Sequence, residues 1–434
     1  MKLILELKRH LKSEFSKNVA TLFTGSVVAQ AIPLLASLVL SRLYTPEDFA
    51  INEVFLRLYS IGLVFSTLRY EQAIVLPKEN SKAAHIIFLI LKISLITGLF
   101  FLVFNLFFGK WIEDAQGIPN LYYYLLLIPV ALVVSSNYQA LNYWAVRNKN
   151  YKQLSVTKST VSFTNSGYRL IVGALTSGHP IGLVSSMILS QFVGALILLK
   201  GNLKSFITFS KDRDKGDILK IAKEYDDFPK VNTLHALLDA IREATIIYLI
   251  IHFFGDTTLG LYAFTVRIMK LPLGMIGTSI GQVFFQKAAE VVNQKKSVYE
   301  ITLKTIKKLT IISLPIFILI GLLSDWAFEF VFGDKWSDAG FIAQIITPWM
   351  FFNFLNSPLS QIPLIVKKQK EVFFISIIGF VVSVLGLICG GLYLKDVYNS
   401  LILFSIIQSC YLLFVLLWIL KIAKRYDKAN LTVE

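Results

Sequence analysis

The chain has 434 residues, of which 55% are hydrophobic and 16% are charged, and its formal net charge is +15. This balance excludes a soluble domain of ordinary composition, in which roughly 25% of residues are charged. It does not favour a nucleic-acid-binding protein either, because the Lys and Arg residues lie between apolar blocks instead of forming one patch or recognition motif.

The apolar residues form twelve blocks. A helix of about 20 apolar residues crosses the ~30 Å hydrocarbon core of a membrane, so the blocks predict an all-α polytopic membrane protein of about twelve transmembrane helices. Residues 1–18 precede them, are basic and amphipathic, and predict a helix at the membrane interface. The blocks lie at 19–43, 49–68, 83–108, 121–145, 155–176, 180–199, 229–253, 258–284, 302–332, 339–363, 372–394 and 399–420.

The distribution of positive charge predicts the orientation of these helices. The segments that connect the predicted spans lie alternately on the two sides of the membrane. Together with the termini, the segments on one side contain 33 Lys and Arg residues, and those on the other side contain 4. An excess of Lys and Arg marks the cytoplasmic loops of membrane proteins. Both termini are therefore predicted to lie in the cytoplasm.

A hydrophilic stretch at 201–228 divides the blocks into six and six. It predicts a cytoplasmic linker between an N-terminal six-helix lobe at 19–200 and a C-terminal six-helix lobe at 229–423, followed by a cytoplasmic tail at 424–434. When the sequence is aligned with itself at an offset of 210 residues, Arg57 matches Arg267 without a gap, which indicates that the two halves are distant repeats. Repeats of the same orientation are related by an axis along the membrane normal, so a central cavity between the lobes is expected.

Several ionisable residues fall inside the predicted spans. Each costs ~2.5–3.5 kcal/mol at a helix centre on insertion scales and needs a partner or a water-filled cavity. Arg267 and Lys270 share a helix face on which the sequence places no acidic residue beside them, so they predict contact with an anionic substrate. Lys92 and Arg169 are each expected either to reach an interface along the aliphatic stem or to line a cavity.

Two further groups carry charges of both signs. Glu53 and Arg57 are four residues apart, and Asp239 lies three residues before Arg242 and four before Glu243. Each group therefore shares one helix face. Two interpretations remain open: salt bridges that gate the cavity without touching substrate, or cavity residues whose carboxylates couple transport to a proton or cation.

Polar side chains concentrate in two spans. The blocks at 155–176 and 339–363 are rich in Ser, Thr and Asn, which predicts either helix–helix hydrogen bonding or the lining of a hydrated cavity. The predicted substrate-binding residues of the central cavity are Arg57, Arg169, Arg242, Arg267, Lys270, Asn353 and Asn356, and the predicted gating or ion-coupling residues are Glu53, Asp239 and Glu243.

Signatures of enzymes and metal sites are missing from the sequence. It contains no phosphate-binding loop and no His-Glu-x-x-His pair, and its five histidines form no ligand spacing. No segment between the spans reaches the ~50 residues of a small catalytic domain. The prediction is therefore a protein that is not an enzyme and has no cofactor and no metal.

Two stretches of the first half resemble a known family. Ser41-Arg42-Leu43-Tyr44-Thr45-Pro46-Glu47-Asp48-Phe49-Ala50 and Leu68-Arg69-Tyr70-Glu71-Gln72-Ala73-Ile74-Val75-Leu76-Pro77 are similar to the N-terminal signature of Wzx-type flippases. These flippases belong to the multidrug/oligosaccharidyl-lipid/polysaccharide exporter superfamily. The second half resembles the same family in Gly260-Leu261-Tyr262-Ala263, Leu271-Pro272 and Gly281-Gln282-Val283-Phe284.

The resemblance implies a flippase that moves undecaprenyl-pyrophosphate-linked oligosaccharide repeat units for O-antigen (lipopolysaccharide) or capsule biosynthesis. It implies alternating access of two lobes in the bacterial cytoplasmic (inner) membrane. The implied partners are the lipid-linked oligosaccharide, membrane lipids, a polysaccharide polymerase and chain-length proteins, with no nucleic acid.

Three alternatives remain. A drug/cation antiporter of the same superfamily is disfavoured because the ionisable residues singled out inside the spans are six basic and three acidic: Arg57, Lys92, Arg169, Arg242, Arg267 and Lys270 against Glu53, Asp239 and Glu243. A lipid II flippase shares the chemistry, but that family typically has two additional helices. A polymerase or ligase of the glycan pathway would show a large external loop.

Overall fold

The computed structural model describes residues 14–210, 215–294, 296–366 and 368–431. Most of the predicted amphipathic segment at 1–18 and the end of the predicted tail therefore lie outside the described residues. Within the described ranges the regular secondary structure is helical and contains no strand. The chain is an all-α polytopic membrane protein, as its sequence predicts.

The first part of the chain forms seven helices in the described residues. Short helical turns at Tyr70–Val75 and Leu121–Leu125 precede α3 and α4, and a further turn follows α7 at Phe228–Asn232. The seven helices are α1 (Glu14–Leu43), α2 (Pro46–Thr67), α3 (Asn80–Gln116), α4 (Ile128–Arg147), α5 (Tyr151–Leu175), α6 (Ile181–Ser210) and α7 (Lys215–Glu224).

The remainder forms five more helices, the first of which is broken by a glycine. In α8 (Thr233–Asn293), Gly255 has φ 85° and ψ 175°, a conformation that favours glycine and interrupts the helix. The other four are α9 (Val298–Phe332), α10 (Ser337–Asn356), α11 (Gln369–Cys389) and α12 (Val397–Leu431), with short turns at Asp334–Trp336, Ser357–Gln361, Ile362–Ile365 and Gly390–Leu394.

The long helices match the predicted blocks. When α8 is divided at Gly255 and the short α7 is set aside, twelve long helical segments of the described chain correspond to the twelve apolar blocks. Eight helices are long and apolar enough to cross a membrane by length and composition, among the described residues. The polar α5 is not one of those eight, because Ser, Thr and Asn lower its hydropathy.

The chain folds into two compact units, Met1–Ala244 and Thr245–Glu434. The first unit takes in residues 229–244, which the sequence assigns to the second lobe. Within the predicted linker, residues 215–224 are helical as α7.

Helix α2 begins at a well-formed cap, which explains part of the first resemblance motif. Thr45 accepts a hydrogen bond from the Asp48 backbone N–H at 3.4 Å, and Asp48 accepts one from the Thr45 backbone N–H at 2.8 Å. Pro46 occupies the first turn, where no donor is lost. Just before it, the buried Tyr44 hydroxyl donates to the Arg169 carbonyl of α5 at 2.9 Å.

The short helix α7 packs on the loop between α2 and α3. Ile218 and Ile221 join a buried apolar cluster with Tyr70, Ile74 and Ile86. The Tyr70 hydroxyl donates to the Ala222 carbonyl at 2.9 Å. These contacts attach α7 to the first unit, and burial raises the pKa of the Tyr70 phenol.

The second unit is held together by aromatic packing and by hydrogen bonds between helices. The rings of Phe264 in α8 and Trp336 lie 4.0 Å apart between centroids, and the Thr265 hydroxyl donates to the Ala339 carbonyl of α10 at 2.9 Å. Asn356 is buried at the end of α10 and donates to the Leu412 carbonyl of α12 at 3.0 Å.

Candidate functional site

A three-residue ion cluster lies in the first unit. Arg57 Nε donates to Glu53 Oε1 at 2.7 Å within α2, and the same guanidinium also contacts Glu243 in the first part of α8. The helical spacing predicts the first pair, and that pair is present. The second joins residues that are 186 positions apart in the chain, so no local pattern could have revealed it.

The three side chains of this cluster differ in their access to solvent. The exposed fractions are 13% for Glu53, 27% for Arg57 and 38% for Glu243. The Glu53 carboxylate is therefore the most protected of the three groups, and the Glu243 carboxylate is the most accessible to solvent.

The cluster borders a cavity of about 250 Å³. Its wall combines hydroxyl and amide groups with apolar side chains and includes four charged side chains, two of each sign. The cavity is lined by Arg57, Ser60, Leu63, Val64, Thr67, Arg69, Gln139, Ala236, Asp239, Ala240 and Glu243.

A second ion pair lies beside this cavity on α8. Arg242 Nη2 is 3.5 Å from Asp239 Oδ1, as their spacing in the sequence predicts. Asp239 is 67% exposed and lines the cavity, so this pair is loose and contributes little to stability.

The sequence did not single out Arg69 or Gln139, which also line this cavity. Arg69 has a left-handed backbone conformation with φ 60° and lies 3.4 Å from the buried Glu71 carboxylate. A signal was present, because Arg69 belongs to the second resemblance motif. Gln139 belongs to no resemblance motif, and it lies among other polar residues of α4, so the sequence did not distinguish it.

Arg169 is buried within the first unit, away from this cavity. Its Nε donates to the Ser186 hydroxyl at 2.7 Å and its Nη2 donates to the Leu183 carbonyl at 3.3 Å, both in α6. These contacts bind α5 to α6. A role for Arg169 in substrate binding stays a prediction.

The remaining predicted substrate-binding residues belong to the second unit. Arg267 is half-buried and Lys270 is exposed on α8. Asn353 is exposed on α10, whereas Asn356 bonds helix to helix. The structure brings together Glu53, Arg57, Asp239, Arg242 and Glu243 in the first unit, and the roles of all these residues stay predictions.

In the part of the chain that the structure describes, no group of three or more His, Cys, Asp or Glu side chains could hold a metal ion. Cys389 and Cys410 are free thiols on exposed positions. The polar groups that line the cavity at Arg57 are guanidinium, carboxylate, amide and hydroxyl groups.

The fold is that of transporters of the MOP superfamily. A structure of the lipid II flippase MurJ in an inward closed conformation matches with a TM-score of 0.71 at 15% identity, covering 95% of this chain and 91% of that one. An outward-facing multidrug resistance MATE family transporter matches with a TM-score of 0.58 at 13% identity over 98% of both chains. A MOP superfamily transporter from Pyrococcus furiosus, described by the reverse polarity of its binding pocket, matches with a TM-score of 0.57 at 13% identity, covering 96% of this chain and 98% of that one.

The family of the chain is shown by its sequence. A family model described as polysaccharide biosynthesis protein matches residues 39–341, and the chain belongs to that family. The sequence resemblance to this group is thereby confirmed. No curated protein sequence matches the chain significantly.

Proposed function

We propose that this chain is a flippase that moves undecaprenyl-pyrophosphate-linked oligosaccharide repeat units across the bacterial cytoplasmic membrane by alternating access. Membership of the polysaccharide biosynthesis family supports this function. Both termini lie in the cytoplasm in this proposal, and the glycan serves O-antigen or capsule assembly together with a polymerase and chain-length proteins.

The observation that carries the proposal is the position of Arg57. Its planar guanidinium borders a cavity and is held by two carboxylates, one of them more than a third exposed. A pyrophosphate offers the same paired oxygen acceptors as a carboxylate and carries more charge. Substrate can therefore displace Glu243 while Glu53 keeps the guanidinium oriented.

In this scheme Arg242, Arg267 and Lys270 supply further positive charge, Arg169 and Asn356 position helices, and Asn353 supplies an amide group for the glycan. An unoccupied Arg57 keeps its carboxylate partners, so the resting state does not leave this guanidinium isolated inside the membrane. Exchange of Glu243 for pyrophosphate then links substrate binding to movement of α8.

The acidic residues give a route for energy coupling. Glu243, once displaced from Arg57 by substrate, can take up a proton or a cation, and Asp239 and Glu53 are the further candidate acceptors, which ties transport to an ion gradient. Proteoliposomes with and without an imposed gradient measure this dependence. Gradient-independent transport that survives replacement of all three acids would rule the coupling out.

Lipid II is a second candidate substrate, because the MurJ structure matches over 95% of this chain with a TM-score of 0.71. Deletion followed by lipid extraction separates the candidates. We expect undecaprenyl-linked repeat units to accumulate and surface polysaccharide to fall. Accumulation of lipid II instead would favour the second candidate, and unchanged lipids with altered drug susceptibility would favour an antiporter.

The residue-level test begins with Arg57→Ala. Loss of the guanidinium leaves two carboxylates facing each other, so export should fall and stability should drop by about 1–3 kcal/mol. Arg57→Lys should recover part of the export, since an ammonium keeps the charge but loses the bidentate fork. Abundance and export are measured on the same membranes, with the exposed Arg425→Ala as the matched control.

A triple variant separates binding from folding. Glu53→Gln/Arg57→Ala/Glu243→Gln removes the facing carboxylates together with the guanidinium, so abundance should return toward that of the unaltered protein. Export should stay low if Arg57 binds substrate. A triple variant with full export would eliminate Arg57 as a ligand.

A further inference from the structure

The first unit contains a second cavity, of about 380 Å³, which we call the lobe cavity. It lies among α1, α4, α5 and α6 and shares no lining residue with the cavity at Arg57. Its volume falls within the ~300–1,000 Å³ of small-ligand sites. The lobe cavity is lined by Ser26, Ala29, Gln30, Tyr138, Lys158, Val161, Ser162, Asn165, Met187, Ser190 and Gln191.

The lining has the chemistry that suits a sugar. Three serine hydroxyls, three amide side chains and the Tyr138 phenol both donate and accept hydrogen bonds. The ring of Tyr138 adds an apolar face on which a pyranose can pack. Such a wall does not suit a lipid tail, because burying these groups without partners costs free energy.

Local contacts hold several of these groups in place. Asn165 donates through Nδ2 to the Ser186 and Ser190 hydroxyls of α6 at 3.2 and 3.4 Å. The Ser162 hydroxyl donates to the Ala29 carbonyl of α1 at 2.5 Å. The wall is thereby built from helices that are tied to one another, which gives the cavity a defined shape.

Lys158 is the single charged residue among the described side chains of this lining. It is half-buried, and its Nζ lies 3.5 Å from the Ser26 hydroxyl, a neutral group. Among the residues that the structure describes, no carboxylate lines the lobe cavity, so the ammonium there gives a positive field that repels a cationic ligand and attracts an anionic one.

We propose that the lobe cavity binds a sugar residue of the glycan that carries an anionic group such as a carboxylate, with Lys158 as its counter-ion. The inference rests on the proposed function and makes it more specific, since it assigns the chemical class of the repeat unit. The hydroxyls and amides hold the ring, and Lys158 selects for the acid.

The test uses thiol labelling of the full chain in nanodiscs. Cys389→Ser and Cys410→Ser remove the two native thiols, and Ser162→Cys places one in the lobe cavity. Glucuronate and glucose are the probes. We expect glucuronate to slow labelling at about tenfold lower concentration than glucose, the effect of one charge-assisted hydrogen bond.

The preference should disappear in Lys158→Gln and persist in Lys158→Arg. Lys152→Gln is the matched control, because Lys152 is exposed on the same helix and does not line the cavity. Equal protection by both sugars, or the same loss of preference in Lys152→Gln, would overturn the proposal.

This readout needs no lipid-linked substrate. If deletion leaves lipid-linked repeat units unchanged while the glucuronate preference holds, the flippase proposal fails and the acidic-sugar site stands. If repeat units accumulate and the preference is missing, the flippase stands and the inference fails.

Discussion

Thr45 shows how a single residue of a resemblance motif can serve the fold instead of the substrate. Its hydroxyl and the Asp48 carboxylate satisfy two backbone donors at the start of α2. Glu53 and Arg57 lie on the same helix, so the cap fixes the start of the helix that carries these two members of the ion cluster. The Thr45-Pro46-Glu47-Asp48 part of the motif is thus explained by helix capping.

We predict that Thr45→Ala lowers the free energy of unfolding by about 1 kcal/mol, the usual cost of an N-cap. Thermal unfolding of the purified protein in nanodiscs measures the loss. Thr45→Ser keeps an oxygen at the same position and should remain close to the unaltered protein. An equal loss in both variants would show that the methyl group, not the cap, matters.

Residues differ in how far the sequence predicts their contacts. Glu53 and Arg57 are paired as expected, because four residues on a helix bring two side chains together whatever the rest of the chain does. The contact with Glu243 depends on the packing of helices that are distant in the sequence, so the sequence pattern could not predict it. Asn356 is similar, since its partner in α12 is defined only by the fold.

At the scale of elements, the hydrophilic pattern of the linker did not predict the helix α7. The stretch 201–228 predicts a linker by its charge, yet Ile218, Ile221 and Ala222 recur at the spacing of one helix face. That face packs on the cluster beside Tyr70. The long spans were predictable because lipid requires every backbone group to be paired within the segment.

We predict that Ile221→Ala loosens α7, at a cost of about 2–4 kcal/mol for a truncated buried isoleucine. Hydrogen exchange of residues 215–224 should quicken, while exchange in α9 of the second unit stays unchanged. Lys223→Ala is the control, because Lys223 is exposed two positions away. Equal exchange in the two variants would mean that Ile221 does not hold α7.

At the scale of the whole molecule, the twelve long segments and the charge asymmetry make one joint prediction about topology. Reporter tags at the C-terminus and within 201–227 should be cytoplasmic, and tags near Lys110 and Lys395 should be external. The positive-inside rule orients all of these segments together. A cytoplasmic reporter at Lys395 would contradict the predicted span count.

The attachment of α7 also has a consequence for how the protein is made. Tyr70 and Ile74 leave the ribosome long before Ile218, and at ~5–20 residues per second the delay is on the order of ten seconds. During that interval the four helices α3, α4, α5 and α6 are synthesised, while Tyr70 and Ile74 still lack their contacts with α7. Completion of this apolar cluster is therefore timed by the synthesis of α7, which follows the four helices.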